Sequence, residues 1–489
     1  MNPALESLCR LRERVASDRT NDLPAPRLAE RLDVLGSEAF AAFKEQGIPT
    51  RRLEAWKGTN LARLEAMDFA RVGRGADPSH EAISSPASND RDDGDADLVF
   101  VDGLLLTAGT SRADLPEGVR VLSLGEAAIE DSRIPETYLG QLPDLKKESL
   151  AALQTALFED VAIVHLAPRA TATRPIRIRS ISTAGGPATP TTSTTHTTST
   201  TPTPPETSGR PSASFPRLLV VAERDSTATI VFESVSEGVA PGLTAFVAEY
   251  HLAAGARIET VQIQSEGAER IHVTSCHARL EDNARFDSHV FSLGDGLVRS
   301  ELSITLDAPG AETRMRGFFL GRNRGHIDHF TTVDHAAEHC SSDQEYRGVL
   351  DDDSKGVFRG RVIIRPGAQQ TSAHQSNPNL LLSDRASIDT KPQLEIYADD
   401  IRASHGATIG QLDLEALFFL RARGIDEAAA RLLLTRGFAR SIVEGITDDS
   451  VRLCVAARVE DALASLQPTD EPAAGPTRSQ ITLGEGSPR

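Results

Sequence analysis

Short segments in which apolar and polar residues alternate fill the middle of the chain. Examples are Leu218-Leu-Val-Val, Thr229-Ile-Val-Phe-Glu-Ser-Val and Arg361-Val-Ile-Ile, each bounded by Gly, Asp, Asn or Ser. A period of two predicts β-strands, and the bounding residues predict turns between them. We therefore expect a strand-rich region from about Phe215 to Gly410, with the first strand of the chain starting at Leu98.

A loose repeat runs through this region. Copies of the form Leu-x-x-x-Ala-x-apolar-acid-hydroxyl begin at Leu252, Leu280 and Leu382, and the first two copies are 28 residues apart. A turn followed by an apolar strand position at fixed spacing is typical of the stacked coils of a solenoid. A β-helix is therefore the leading interpretation. An antiparallel sandwich would show similar alternation and stays open on the pattern alone.

Helical spacing of apolar residues marks the two ends of the chain. Near the N-terminus, the segment Leu28-Ala-Glu-Arg-Leu-Asp-Val-Leu continues through Glu38 to Glu45 and predicts a helical domain over residues 1–72. The helical period returns after Gly410. There we expect three helices, which run from Leu412 to Arg423 before Gly424, from the cap Asp426 to Arg436 before Gly437, and onward from the cap Ser450.

Three stretches have compositions that do not suit a packed core. Residues 73–97 are rich in Ser, Asp, Gly and Pro and predict a flexible connection. Residues 183–214 are dominated by Thr and Pro and predict a disordered insertion, as the final segment 468–489 predicts a disordered tail. These limits leave residues 98–410 for the strand-rich core and 411–467 for a C-terminal helical domain.

The overall charge narrows the classes of partner. The 489 residues include 52 Lys and Arg against 70 Asp and Glu, a formal net charge of -18, which disfavours binding to a phosphate backbone. The chain contains no apolar run near the roughly 18 residues that a membrane helix needs. The first 19 residues are charged throughout and do not resemble a secretory signal, so we expect a cytoplasmic protein.

Candidate chemistry is sparse. The chain has no GxxxxGK[ST] phosphate loop, which argues against ATPase activity, and its four cysteines form no CxxC pair. The densest group of metal-capable side chains is irregularly spaced and is more typical of structural or solvated histidines; it comprises His326, His329, His335, His339 and Cys340. His405 stands alone at the junction between the strands and the C-terminal helices.

Several of these segments resemble the SufB/SufD family of iron-sulfur cluster assembly proteins. They are Gly356-Val-Phe-Arg-Gly-Arg-Val-Ile-Ile, Gln375-Ser-Asn-Pro-Asn-Leu, Lys391-Pro-Gln-Leu-Glu-Ile-Tyr-Ala-Asp-Asp and Ser404-His-Gly-Ala-Thr-Ile-Gly. The resemblance is strong from about Leu218 to Gly445, and the Ser404 segment is similar to SufD rather than SufB. Near the N-terminus, Glu54-Ala-Trp-Lys-Gly-Thr-Asn-Leu is similar to the Trp motif of the family, although Gly58 stands where an aromatic residue is frequent.

The resemblance implies a mainly β fold, with a right-handed parallel β-helix core flanked by N-terminal and C-terminal α-helical domains. It also implies a non-catalytic scaffold that pairs with a SufB-like subunit and docks a SufC-like ABC ATPase, with a possible homodimer when alone. No nucleic acid and no membrane are expected as partners. By resemblance the C-terminal helices dock the ATPase, and six of their residues are our candidates near this contact, with packing in the helical core as the alternative role for most of them: Phe418, Phe419, Leu420, Ile425, Leu432 and Leu433.

His405 matches the family histidine that lies at the SufB interface. The resemblance implies that it helps to hold iron or the nascent cluster, which is transient and shared between the subunits rather than bound tightly by this chain alone. Ala403 stands where some SufD proteins have Cys, so a thiol is not expected at that position.

A rival interpretation from another class is a β-helical carbohydrate-active lyase or hydrolase. The run Asp351-Asp-Asp could supply carboxylates to such an enzyme. Hydrolysis would require paired carboxylates on successive coils, about 5 to 9 Å apart.

Overall fold

The computed structural model describes residues 3–69, 96–106, 114–183, 211–238 and 240–466. Most of the expected connection 73–97 and of the expected insertion 183–214 lies outside these residues, as does the whole of the expected tail 468–489. Within the expected insertion, however, Ser212–Ser214 forms a short strand. No helix in the described part of the chain has the length and apolar character needed to cross a membrane.

The core is a parallel β-solenoid in which successive strands, from Arg217 onward, alternate between two sheets. The first sheet contains, in spatial order, β2 (Leu104–Leu106), β1 (Leu98–Val101), β5 (Ile176–Ser182), β8 (Thr227–Ser236), β10 (Arg257–Ser265), β12 (Arg285–Ser292), β14 (Glu312–Gly321), β16 (Ser341–Leu350), β18 (Thr371–Leu381) and β20 (Ile401–Gly410). The second sheet contains β3 (Val119–Leu122), β4 (Ala162–Leu166), β7 (Arg217–Ala222), β9 (Gly242–Leu252), β11 (Arg270–Leu280), β13 (Leu297–Leu306), β15 (His326–His335), β17 (Lys355–Ile364) and β19 (Ser387–Ile396), with β6 (Ser212–Ser214) beside β9.

The sequence repeat corresponds to one coil of this solenoid. Leu252 at the end of β9 pairs in register with Leu280 at the end of β11. The alanines that follow, Ala256 and Ala284, are both buried as the chain enters β10 and β12. The β-helix interpretation is therefore confirmed, and parallel pairing excludes the antiparallel sandwich. Among the described strands, only the pairs β1–β2 and β3–β4 are antiparallel.

Helices cover the outer faces of the two sheets. The N-terminal and central helices are α1 (Pro3–Asp22), α2 (Pro26–Gln46), a 3-10 turn (Glu54–Trp56), α3 (Ala62–Glu65), α4 (Leu124–Glu130), α5 (Arg133–Tyr138) and α6 (Ser149–Leu157). They share a core with Leu219, Leu243 and Ile271 on the outer face of the second sheet. The pattern of the sequence did not predict α4 to α6. All nine residues of α6 are buried, so this helix has no polar face to give it a helical period.

The C-terminal helices pack against the opposite face of the solenoid. They are α7 (Leu414–Arg421), α8 (Glu427–Val443) and α9 (Asp449–Ala464). Their buried residues form a core with Val261, Phe291 and Leu320, which belong to the outer face of the first sheet. The two helical regions therefore lie on different sheets of the solenoid.

Two of the expected helix limits were wrong. The α8 helix does not end at Gly437 but continues to Val443, because a single glycine inside a helix costs only about 1 kcal/mol relative to alanine. The cap of α9 is Asp448, whose Oδ1 accepts from the backbone N–H of Val451, instead of Ser450. The stop at Gly424 is confirmed, since this residue has a φ of 86°.

Candidate functional site

The C-terminal end of the solenoid has two free strand edges. Within the described residues, β19 pairs with β17 and β20 pairs with β18, and each is the last strand of its sheet. An uncovered edge presents backbone N–H and C=O groups that another strand can pair with. This open end, defined by β19 and β20, is therefore the natural place for another chain to continue the sheets.

His405 lies in the middle of β20 at the open end. It pairs in register with the fully buried Gln375 of β18. Because the strands are parallel and in register, the His405 side chain lies on the same face of its sheet as Gln375, which is the face toward the solenoid interior. The neighbouring Ser404 lies on the other face, where its hydroxyl is 2.8 Å from Nδ1 of His374. His405 itself is exposed because no further coil among the described residues covers it.

The interior beneath His405 is polar. Gln375 Nε2 donates to Gln344 Oε1 at 2.6 Å, and Gln344 Nε2 donates to Thr331 Oγ1 at 2.6 Å. In the adjacent column of side chains, Asn377 Nδ2 donates to the carbonyl oxygen of Tyr346 at 2.8 Å. Sequence reasoning missed these amides because each one occupies a strand position that also suits an apolar side chain.

The metal-capable side chains described near His405 do not form a metal site on their own. Across the parts of the chain that the structure describes, no three His, Cys, Asp or Glu side chains come together as a metal site. A neutral imidazole suits iron, but iron-sulfur clusters are usually held by several thiolates. The described residues of this chain do not assemble such a ligand set.

The histidine group that was densest in the sequence does not converge on one point. His329 and His335 face the interior, and burial lowers the pKa of each to about 4. His326 faces the opposite way, where its Nε2 lies 2.8 Å from Thr59 Oγ1, and burial also lowers its pKa to about 4. Cys340 is buried and its thiol donates to the carbonyl oxygen of Ala308. These side chains are neutral and have a structural role in the packing of the fold.

The N-terminal Trp motif packs against the second sheet of the solenoid. The Arg299 guanidinium lies 4.0 Å from the centre of the Trp56 ring, and Arg299 is itself paired with Asp328. Gly58 lies against Val357, where a Cβ would come within 2.9 Å of a methyl group. An aromatic residue at Gly58 would not fit this packing. The motif holds the N-terminal region on the second sheet.

The six C-terminal candidates differ in exposure. Phe418, Phe419 and Leu433 are exposed, whereas Leu420, Ile425 and Leu432 are partly buried. Leu432 packs against the core that α8 and α9 share with the first sheet. The structure adds Leu453, an exposed leucine that the sequence analysis did not single out because it lies off the apolar face of its helix. Leu433 and Leu453 line one groove between α8 and α9.

The acidic run expected by the carbohydrate-enzyme interpretation forms a turn between β16 and β17. Asp351 is buried, and burial raises the pKa of its carboxyl. Asp352 accepts from the backbone N–H of Asn323, and Asp353 pairs with Arg385 at 2.8 Å. The three carboxylates belong to one coil, so they do not form a pair across successive coils.

Comparison with known proteins gives a consistent result. A family model described as the SufBD core domain of SUF system FeS cluster assembly matches residues 206–438, and one for the SufBD N-terminal region matches residues 21–178. The chain is 28% identical to an iron-sulfur cluster assembly SufBD family protein of Synechocystis sp. over 455 residues, which cover 88% of this chain and 94% of the relative.

Two other relatives extend the comparison. The iron-sulfur cluster assembly protein SufD of Escherichia coli is 28% identical over 421 residues, covering 85% of this chain and 90% of that protein. An iron-sulfur cluster assembly SufBD family protein of Mycobacterium bovis is 30% identical over 271 residues, which cover 54% of this chain and 67% of that protein. The chain therefore belongs to the SufBD family of iron-sulfur cluster assembly proteins.

Proposed function

We propose that this chain is a non-catalytic scaffold subunit of a cytoplasmic SufBCD-type complex, which pairs with a SufB-like subunit through the open end of the solenoid. The observation that supports it most is the exposure of that end. Two strand edges are free, and the apolar side chains of Ile396, Tyr397 and Ile409 are exposed beside them. The same surface would form the homodimer contact when the chain is alone.

His405 contributes one ligand to this contact. Its imidazole lies on the inward face of β20, where a partner that covers the open end would enclose it. Iron or the nascent cluster is the cargo of the assembly, and the thiolate ligands would come from the SufB-like subunit. A shared site allows the cargo to be released when the two subunits move relative to each other.

The C-terminal helices dock the SufC-like ABC ATPase in this proposal. The groove between α8 and α9 exposes Leu433 and Leu453, and Phe418 and Phe419 lie exposed on α7. Movement of these helices would reach the solenoid, because the connection between α8 and α9 is attached to it. At that connection the backbone N–H of Thr447 donates to the carboxylate of Glu259 at 2.8 Å.

A matched pair of variants tests the pairing surface. Ile409 at the open end and Leu53 near the N-terminus have the same exposed fraction, 53%. We expect Ile409→Asp to abolish co-purification with the SufB-like subunit, because it places a charge in an apolar contact, while Leu53→Asp leaves it intact. Equal recovery with both variants would place the pairing surface elsewhere.

A second matched pair tests the ATPase surface. Leu453 in the groove is 70% exposed, and Ile129 on α4 is 75% exposed. We expect Leu453→Asp, alone or with Leu433→Asp, to weaken binding of the SufC-like ATPase at least tenfold in titration calorimetry. Ile129→Asp should bind like the original chain. Undiminished binding by the double variant would contradict the assignment of this groove.

The ligand role of His405 is tested by His405→Ala. Because the side chain is exposed, the variant should fold with a change of less than about 0.5 kcal/mol in the free energy of unfolding. It should pair with the SufB-like subunit yet lose Fe(II) binding in the purified complex. Unchanged Fe(II) binding would remove His405 from the site.

A further inference from the structure

One column of inward-facing side chains leads along the first sheet to His405. In-register pairing places these residues one above another on successive strands: Ile176, Ile230, Thr260, Ser288, Met315, Gln344, Gln375 and His405. We call this the His405 column. Its members from Ile176 to Gln375 are buried. Only the last one reaches the open end.

The last buried amide of the column has an unused acceptor. Gln375 Nε2 donates to Gln344 Oε1, and Gln344 Nε2 donates in turn to Thr331 Oγ1. Both amides therefore direct their N–H groups away from the open end. Gln375 Oε1 is left buried and has no hydrogen-bond partner among the described residues. Buried amide oxygens are nearly always hydrogen-bonded, so an orphaned one needs an explanation.

The position of this amide is fixed from the facing strand. Gly360 of β17 lies against it, and a Cβ at that glycine would collide with Gln375 Nε2. The hydrogen bond to Gln344 and the space left by Gly360 hold the Gln375 side chain across the interior. Its orientation is therefore set before any partner binds.

The residue that follows Gln375 in the column is His405. A histidine that binds a metal through one ring nitrogen almost always donates its other N–H to a carboxylate, a backbone carbonyl or a water molecule, which fixes the tautomer and the ring orientation. Gln375 Oε1 is a buried carbonyl oxygen that still needs a donor, and the His405 ring is the adjacent side chain on the same face.

We propose that Gln375 is the positioning residue for His405. When the partner covers the open end, the His405 imidazole donates one N–H to Gln375 Oε1, and its other nitrogen is directed toward the interface and the iron. Gln344 and Thr331 act through Gln375 by holding its amide in the accepting orientation. This inference rests on the proposed ligand role of His405, which the experiment tests separately.

The experiment uses the complex with the SufB-like subunit, purified without oxygen. Fe(II) affinity is measured by equilibrium dialysis, and the tautomer of His405 is measured from the nitrogen chemical shifts of selectively labelled histidine. Gln375→Met keeps the length of the side chain but removes the acceptor. Gln344→Met keeps the Gln375 acceptor but releases its orientation. Gln262→Met is the matched control, because Gln262 is a buried glutamine of the adjacent column that donates to Cys276 Sγ.

We expect Gln375→Met to weaken Fe(II) binding 10- to 100-fold, the range found when such supporting partners are removed. His405 should then change from one tautomer to a mixture. Gln344→Met should weaken binding by a smaller factor, and it also tests the inference should Gln375→Met fail to fold. Gln262→Met should leave the affinity and the tautomer unchanged.

Two results would overturn the inference in distinguishable ways. If His405→Ala abolishes Fe(II) binding while both the Gln375 and Gln344 variants behave like Gln262→Met, His405 is a ligand but Gln375 does not position it. If His405→Ala leaves Fe(II) binding unchanged, the ligand role fails, and the inference fails with it.

Discussion

The first and last coils of the solenoid share one backbone geometry but differ in what fills them. The His405 column begins with the buried isoleucines Ile176 and Ile230 and ends with Gln344, Gln375 and the exposed His405. Beside its apolar start, Phe232 stacks on Phe246 with ring centres 3.8 Å apart. The apolar coils supply stability through burial, whereas the polar coils supply directed hydrogen bonds and end at the proposed contact.

The two ends also differ in their edges. At the N-terminal end, the outer strands β2 and β3 run antiparallel to their neighbours, and helices pack nearby. At the C-terminal end, β19 and β20 continue the parallel sheets and stop without a cap among the described residues. Edge strands are usually protected against pairing with other chains, so an unprotected end is typical of an interaction surface.

Truncation of the apolar interior should have the largest effect. Phe232→Ala removes a fully buried ring from the first coils, so the free energy of unfolding should fall by about 3–5 kcal/mol. Urea denaturation followed by circular dichroism measures the loss. Phe232→Leu, which retains more of the volume, should lose less. A loss below about 1 kcal/mol for Phe232→Ala would contradict the role assigned to these coils.

Breaking the amide chain of the polar interior should have a smaller effect. Gln344→Met leaves Gln375 Nε2 without the acceptor that it has in the original chain, and one unsatisfied buried donor costs about 1–3 kcal/mol. The same urea titration measures the change. If Gln344→Met destabilises the chain as much as Phe232→Ala, the polar coils carry as much of the stability as the apolar ones.

The polar coils should also respond to mild acid. Burial lowers the pKa of His329 and His335 to about 4, so protonation favours the unfolded chain, where the histidine pKa is near 6.5. Their contribution is complete above pH 6.5 and is lost as the pH falls from 6.5 toward 4. At pH 5.5, each should reduce the free energy of unfolding by about 1 kcal/mol.

Urea titrations at pH 7.0 and 5.5 measure this response, and His335→Leu is the variant to compare. Replacing the titrating group should shrink the difference between the two pH values by about 1 kcal/mol. If the free energy of unfolding changes between pH 7.0 and 5.5 by the same amount in His335→Leu and in the original chain, protonation of His335 does not contribute to the acid response of the polar coils.

The smallest effect on stability should be a local one, at the contact that attaches the C-terminal helices to the solenoid. Burial tends to raise the pKa of Glu259, but hydrogen bonds from His289 and Thr447 outweigh it and lower the pKa to about 2. This carboxylate therefore holds Thr447 above pH 4.5 and releases it as the pH falls toward 2. The protection factor for hydrogen exchange near Thr447, which is corrected for the pH dependence of intrinsic exchange, should fall over that range. Glu259→Ala, which removes the acceptor oxygens, should show low protection there even at neutral pH, and full protection in that variant would contradict the contact.

The architecture could be predicted from the sequence, but the columns could not. The spacing of 28 residues between Leu252 and Leu280 is one coil, and it identified the solenoid. Later coils are not of constant length, because Gln344, Gln375 and His405 are separated by 31 and 30 residues. Turns of variable length shift the register, so a fixed period does not show that Gln375 lies beneath His405.

The exposure of the apolar side chains at the proposed contacts also could not be predicted from the sequence. Ile409 follows the alternation of a strand and Phe418 follows the spacing of a helix, so both match core positions. They are exposed because no further coil covers β20 and no other element covers that face of α7 among the described residues. His405 was singled out by resemblance to a family, since a lone histidine at a strand position has no distinctive spacing.

Hydrogen exchange of the chain, alone and mixed with its SufB-like partner, tests the central claim most directly. If the open end is the pairing surface, backbone amides of β19 and β20 should become strongly protected in the complex, while those of β1 and β2 keep the exchange rates of the free chain. Protection that appears at β1 and β2, with β19 and β20 unchanged, would contradict the account.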